Sequence, residues 1–170
     1  MIQYVNGSAV LPEGEGNKII AHVCNDVGAW GCGFVLAVSQ EHPLAEKEYR
    51  NWYQENPPWD KKHFSLGEVQ LVQTKENVWV ANMIGQKGIL VKNGIPPIRY
   101  DALRSCLQEV AIDAVRLGAT VHMPRIGCGL AGGKWSEIEP LVEETLCAKG
   151  VPVTVYDFES QDARNIPWNK

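Results

Sequence analysis

Hydrophobic positions along the chain fall into short blocks whose period changes from one block to the next. Residues 2–5 form a brief strand block, closed by the turn-forming Asn6-Gly7-Ser8. Residues 18–24 are apolar at almost every position, the pattern of a strand covered on both faces. Residues 25–33 break that run as a loop. From Gly33 to about Gln40 the composition turns helical, until His42-Pro43 interrupts it. Residues 44–54 resume a helix with Tyr49, Trp52 and Tyr53 on one side, and Pro57-Pro58 ends it. Residues 67–74 and 78–84 are strands around the polar turn Lys75-Glu76-Asn77, which predicts a hairpin.

Residues 85–97, with three glycines and two prolines, read as a loop. The next block repeats at helical spacing: Leu103, Leu107, Val110, Ala114 and Leu117 mark one face of a helix over residues 100–117, and Gly118 is its stop. Residues 120–123 make a short strand and 124–134 a second glycine-rich loop. A helix follows to about Lys149, with Ser136-x-x-Glu139 as a capping box and Gly150 as terminator. Residues 151–158 form the last strand, and 159–170 a polar tail. No repeat or low-complexity run interrupts the series. Alternating strands and helices predict an α/β fold, with one domain over 1–158. Ligands of such sheets sit at the carboxyl ends of strands, where both glycine-rich loops lie.

Bulk properties narrow the function. A chain of 170 residues suits one domain and buries roughly 70% of its unfolded surface, enough for a core without disulfides or structural metal. The net charge of −4 argues against direct binding to DNA, which needs a basic face. The five cysteines are odd in number and form no C-x-x-C pair, and no leader or membrane-length apolar stretch is present. Reduced thiols in a cytoplasmic protein, with no membrane partner, are the expectation. No ligand spacing calls for zinc or another metal, and nothing calls for a cofactor.

The candidate chemistry lies in the two loops. The first reads Asn25-Asp26-Val27-Gly28-Ala29-Trp30-Gly31-Cys32-Gly33-Phe34, with three glycines just before a helix. Glycine lets the backbone approach a ligand, and a helix start offers free N–H groups and partial positive charge, which suit a phosphate. The second reads Pro124-Arg125-Ile126-Gly127-Cys128-Gly129-Leu130-Ala131-Gly132-Gly133, where successive N–H groups can form a nest around an anion. Two such loops on neighbouring strands can hold a pyrophosphate. The first loop fits neither a Rossmann nor a P-loop pattern. Arg125 is a candidate for bidentate phosphate contact, with an ion pair beneath the loop as the other reading.

The run from His122 through Pro124-Arg125-Ile126-Gly127-Cys128-Gly129-Leu130, with Trp135 and the final Thr154-Val155-Tyr156, resembles the macrodomain family. The resemblance is to the branch that includes the terminal ADP-ribose-protein glycohydrolase and the macrodomain of a poly(ADP-ribose)-activated chromatin remodeller. Asn25-Asp26-x-Gly28-x-Trp30-Gly31-x-Gly33-Phe34 and the strand Val80-Ala81-Asn82-Met83-Ile84-Gly85-Gln86 are similar to the remodeller-like members. The resemblance implies a three-layer α/β/α fold with a mixed sheet and ADP-ribose, free or on a protein, in a surface cleft. It implies loop one around the distal ribose, loop two around the pyrophosphate, and Ser8 and Ala9 near adenine. Tyr156 or Phe158 is then a stacking face for the base.

The resembled glycohydrolase uses a lysine for covalent attack and an aspartate just after Gly-Cys-Gly-Leu. Here the first position falls near Gln86, beside Lys87, and the second is Ala131. An amide cannot form the Schiff base an amine can. The remaining hydrolytic route acts on esters, either mono-ADP-ribosylated Glu or Asp or O-acyl-ADP-ribose, through a positioned water. Asp26 would orient or deprotonate that water, and Asn25 would bond the ribose or ester oxygen. A non-catalytic reader of ADP-ribose and a phosphatase of ADP-ribose 1″-phosphate are the alternatives. A cysteine nucleophile at Cys32 or Cys128 would need a nearby histidine.

Overall fold

The computed structural model describes residues 1–55 and 64–158. The predicted tail and Pro57-Pro58 lie outside the described residues. In chain order the elements are β1 (Ile2–Asn6), β2 (Lys18–Asn25), α1 (Phe34–Glu41), α2 (Pro43–Glu55), β3 (Val69–Lys75) and β4 (Val78–Gln86). Then come α3 (Tyr100–Leu117), β5 (Thr120–Met123), α4 (Trp135–Thr145) and β6 (Val153–Asp157), with a single 3₁₀ turn at Cys147–Lys149.

The strands form one sheet in the order β1-β6-β5-β2-β4-β3. All neighbours are parallel except β3 and β4, which form the hairpin expected from the sequence. Helices cover both faces, giving the three-layer α/β/α arrangement with a mixed sheet. The unbroken apolar run of β2 follows from this. Ile19 and Ala21 face a core built with Leu103, Leu107 and Val110 of α3 and Ile138 and Val142 of α4. Ile20 and Cys24 face the opposite core, with Val38 of α1 and Ala45 and Tyr49 of α2. No helix among the described residues is long and apolar enough to cross a membrane.

Helix boundaries follow local chemistry where the sequence signal is strong. α3 spans the expected 100–117 and ends where its apolar stripe does, and Gly118 closes it in the left-handed region at φ 58°. His42 separates α1 from α2 and is held by more than the following proline. Its Nε2 lies 2.9 Å from the Val10 carbonyl and its Nδ1 2.8 Å from Thr74 Oγ1.

Three expectations are corrected. The capping box does not form, because α4 begins at Trp135 and places Ser136 inside the first turn, with Lys134 as an N-cap that makes no side-chain bond. Glu139 instead accepts from Trp135 Nε1 at 3.2 Å and from the Tyr4 hydroxyl. The helix stops at Thr145, and the 3₁₀ turn carries the chain to Gly150. The last strand is Val153–Asp157 rather than 151–158; Pro152 has no N–H for a ladder, although its carbonyl accepts from Val121 at 2.9 Å.

Candidate functional site

A cleft of about 390 Å³ runs across the carboxyl ends of β6, β5, β2 and β4. Three strand spacings separate its ends, about 14 Å at about 4.8 Å each. Of the residues singled out from the sequence, Cys32, Gly33 and Phe34 line it from loop one, and residues 124–131 from loop two. Gln86 closes the β4 end, and Tyr156 and Phe158 stand at the β6 end. His22, Val23, Val35 and Asp157 also line it and were not foreseen. Val35 shares the first helical turn with Phe34, and Asp157 lies between two residues already singled out. Asn25, Asp26, Ser8, Ala9, Gly28, Trp30, Gly31 and Gly132 are not among the lining residues.

Loop one is tied down by side chains. Asn25 Oδ1 accepts from the amides of Val27 and Ala29, both at 3.0 Å, and Nδ2 donates to the Ala29 carbonyl at 2.7 Å. The Tyr49 hydroxyl lies 2.7 Å from the Asn25 carbonyl and 3.0 Å from Oδ1. With three donors already around Oδ1, Asn25 organises the loop rather than bonding a ribose hydroxyl through that oxygen. Trp30 is buried, with its Nε1 donating to Ser39 Oγ at 2.6 Å and its ring 5.3 Å from those of His22 and Tyr49. Arg50 donates to the Trp30 carbonyl and pairs with Glu46.

The loop ends at Gly33, whose φ of 83° and ψ of −150° belong to a region open essentially only to glycine. Gly33 is the N-cap of α1, and no side chain bonds the helix start. Gly33 and the first-turn residues Phe34 and Val35 line the cleft, and a helix start without a side-chain cap is a place where an anion is favoured. α4 does not offer its start in the same way; its first turn is not among the lining residues.

Loop two is closed by its own main chain. Gly133 N donates to the Gly127 carbonyl at 2.7 Å, Gly132 N to Gly129 at 3.1 Å and Cys128 N to Arg125 at 3.3 Å. Ile126 and Ala131 are buried and anchor the turn to the core. A Cβ on Gly133 would come within 2.5 Å of the Gly127 oxygen, so the closure requires glycine.

Arg125 takes the ion-pair reading. Its Nε and Nη2 bind the two carboxylate oxygens of Asp157 at 2.7 and 3.0 Å, and its guanidinium lies over the rings of Tyr4 and Trp135 at 5.2 and 5.5 Å. The fork expected to reach a phosphate is engaged on Asp157. Tyr156 is also engaged. It is buried, its hydroxyl accepts from Glu13 N at 2.8 Å and meets His122 Nδ1 at 2.8 Å, and burial pushes its pKa up. Phe158 is half-buried at the rim.

The histidines under the loops are neutral. Burial lowers the pKa of His22 to about 4. Asn82 Nδ2 donates to the Ala45 carbonyl and to Gln70 Oε1, so its Oδ1, 2.5 Å away, accepts from His22 Nε2. His122 is lowered to about 4 by burial and by Lys18. The Cys128 thiol is pushed up by burial, against the opposing Arg125, and its Sγ donates to the Ile126 carbonyl at 3.5 Å. Neutral imidazoles and a protonated thiol at Cys128 do not make an activated cysteine pair.

At the β4 end, Asp26 and Gln86 join loop one to the segment after β4. Asp26 N donates to the Gln86 carbonyl at 3.1 Å, Asp26 Oδ1 accepts from Gly88 N at 2.7 Å, and Gln86 Nε2 donates to the Gly88 carbonyl at 3.0 Å. Ser8 and Ala9 follow β1, one strand beyond the β6 end. The Ser8 carbonyl accepts from Leu11 N at 3.1 Å, and Ala9 is buried.

No family model matches the chain. A solved protein of unknown function from Bacteroides thetaiotaomicron is 51% identical, with 92% of this chain and 98% of that one covered and a TM-score of 0.88. A macrodomain protein from Streptomyces coelicolor is 52% identical, with 92% and 99% covered and a TM-score of 0.81. Chromodomain-helicase-DNA-binding protein 1-like from Mus musculus is 29% identical over 172 residues and 96% of this chain, which spans only 18% of that protein's length. An ADP-ribose 1″-phosphate phosphatase from Candida albicans is 22% identical over 85% of this chain and 93% of its own length. An ADP-ribose glycohydrolase from Bos taurus is 36% identical over 58 residues, 34% of this chain and 38% of its own length.

Proposed function

This chain belongs to the macrodomain family, and on that premise we propose that its cleft binds ADP-ribose and that the protein hydrolyses ADP-ribosyl esters, on Glu or Asp of modified proteins or as O-acyl-ADP-ribose. One observation carries the reading: the start of α1 and the closed turn of loop two line the same cleft. Amides from both sides then meet a diphosphate over β2 and β5. Each charge-assisted bond contributes about 1.5–3 kcal/mol, which substitutes for a lysine cluster in an acidic chain. The cleft's length fits two sugar-bearing ends joined by that diphosphate. Adenine takes the β6 end, beside Tyr156 and Phe158, and the distal ribose takes the β4 end, beside Cys32, Gln86 and Leu130.

Ester cleavage at the distal ribose needs a water held near the carbonyl and a group to take its proton. Asp26 is the candidate; it does not itself line the cleft but is bonded to Gln86 and Gly88 at its β4 end. Its Oδ1 is fixed by Gly88 N, and Oδ2 has no hydrogen-bond partner among the described residues. With the lysine position of the resembled glycohydrolase falling near Gln86, beside Lys87, no Schiff base is drawn. Asn25 contributes by holding the turn that carries Asp26. Ala131, in place of an aspartate, favours the second reading, a binding module without turnover.

The test is release of ADP-ribose from a glutamate-modified protein, run beside Asp26→Ala and beside hydrolysis of ADP-ribose 1″-phosphate. Ester turnover reduced at least 100-fold in the variant, with ADP-ribose affinity kept, supports the hydrolase. Full turnover in the variant removes Asp26 from the mechanism. Saturable ADP-ribose binding with no release leaves the reader, and release of phosphate only leaves the phosphatase.

A further inference from the structure

Residues 87–97 stand as a finger beside the β4 end of the cleft, and much of their exposed surface is aliphatic. The finger's base is clamped to both glycine-rich loops. Gly88 N donates to Asp26 of loop one, Ile98 N donates to the Ala131 carbonyl of loop two at 3.0 Å, and Lys87 N closes on the Pro97 carbonyl at 2.9 Å. Its tip is a tight two-residue hairpin. Lys92 and Ile95 exchange both main-chain bonds, at 3.0 and 2.9 Å, around Asn93-Gly94 with φ of 53° and 75°. Asn-Gly is the pair that such a primed turn favours. On this braced scaffold Ile89, Leu90, Val91 and Ile95 are 52–67% exposed. Lys87 and Lys92 are exposed beside them, and residues 87–100 contain no acidic residue.

We propose that this finger docks the polypeptide of an ADP-ribosylated protein, gripping an acidic and apolar segment next to the modified side chain, so that the natural substrate is a protein rather than a free nucleotide ester. The proposal rests on the ADP-ribosyl ester reading of the cleft. ADP-ribose offers hydroxyls, phosphates and one base, and none of these calls for four aliphatic side chains at the ribose end. An ester to Glu or Asp, however, sets the carrier chain at the distal ribose, where the finger begins. Segments that present Glu and Asp for modification are acidic, which matches the two lysines. The aliphatic side chains provide the apolar core of the contact inside that charged rim. The hairpin is braced before anything binds, so docking has little loop ordering to overcome.

The test compares two ligands by calorimetry: free ADP-ribose, and an acidic peptide carrying ADP-ribose through an amide in place of the ester. The native protein is expected to bind the conjugate about tenfold more tightly than ADP-ribose, and to prefer it over a conjugate with lysine flanks. Leu90→Ser combined with Val91→Ser should erase that advantage while free ADP-ribose affinity stays within twofold. Lys92→Glu, which leaves the aliphatic surface intact, should lower conjugate affinity at least threefold. Equal affinity of the native protein for conjugate and nucleotide overturns the proposal. So does a parallel loss for both ligands in the double variant, which would make the finger a cover for the nucleotide. Loss of sedimentation with anionic lipid vesicles in the double variant, with conjugate binding unchanged, would assign the finger to a membrane surface and overturn it as well. No binding of ADP-ribose by the native protein fails the parent reading instead.

Discussion

Loop one and loop two leave paired parallel strands and face one cleft, but different forces hold them. In loop one, Asn25, Tyr49 and Arg50 reach in from β2 and α2 to bond the main chain. In loop two, the bonds run from amide to carbonyl within the turn, and the side chains that matter are small or buried. The proposed task, presenting amides to an anion, would be met in one loop by added polar groups and in the other by the absence of a Cβ. Loop one should therefore fail when atoms are removed and loop two when atoms are added, while the strands beneath should respond alike.

The largest expected effect concerns what the loops share. His22 lies under loop one and His122 under loop two, and burial is the first cause of both depressed values. The folded pKa values, about 4, lie below the unfolded value near 6.5, so the unfolded chain binds more protons between them. Stability contributed by these groups is present above about pH 6.5 and is lost as pH falls toward 4. At up to about 1.4 kcal/mol per pH unit for each histidine, the two together remove about 4 kcal/mol between pH 6.5 and 4.5. Denaturant unfolding across that range measures it, and His122→Asn or His22→Gln should each reduce the slope, by less than half because burial also lowers the pKa of His42. A slope that survives either change intact would place the titrating group elsewhere.

Next is Asn25→Ala, which removes the acceptor for two amides, the donor to Ala29 and one partner of the buried Tyr49 hydroxyl. A destabilisation of about 3 kcal/mol is expected, with ADP-ribose affinity reduced more than tenfold. A change below about 1 kcal/mol would mean that loop one does not depend on its side chains. Gly133→Ala is the mirror test. The added methyl meets the Gly127 carbonyl and should cost about 2 kcal/mol, read as a lower denaturant midpoint, with ADP-ribose affinity reduced about tenfold. An unchanged midpoint would contradict the close approach.

The smallest effect belongs to Arg125→Ala. Its ion pair with Asp157 is exposed and its ring contacts are at the surface, so stability should fall by at most about 1 kcal/mol. ADP-ribose affinity should stay within threefold, since the fork is turned to Asp157. A loss of tenfold or more would return Arg125 to the phosphate.

Much of the scaffold was legible because its signals are local. The stripe of α3 marked its buried face and the glycine behind it marked its end, and the double-sided apolar run of β2 marked a central strand. Loops rich in glycine between strand and helix marked the cleft. The functions of individual polar groups were less legible. Asn25 and Arg125 are polar residues in the right loops, but their partners, Tyr49 and Asp157, lie 24 and 32 residues away and meet them only through the packing of α2 and the sheet order respectively. Trp30 read as a ligand contact because it stands among glycines, whereas Ser39 and Tyr49 draw it into the core. Ser8 and Ala9 were assigned through resemblance, and in the fold they sit one strand outside the cleft lining. The aliphatic finger was hidden in a segment that reads as an ordinary loop, because exposure is not written in composition.

The central claim is that amides from both loops bind one diphosphate. An amide-resolved NMR titration with ADP-ribose tests it most directly. The account predicts that the amides of Gly33, Phe34 and Val35 and those of residues 126–131 shift together, along one saturation curve with a single Kd. Shifts confined to one loop, or none at millimolar ADP-ribose, would contradict it.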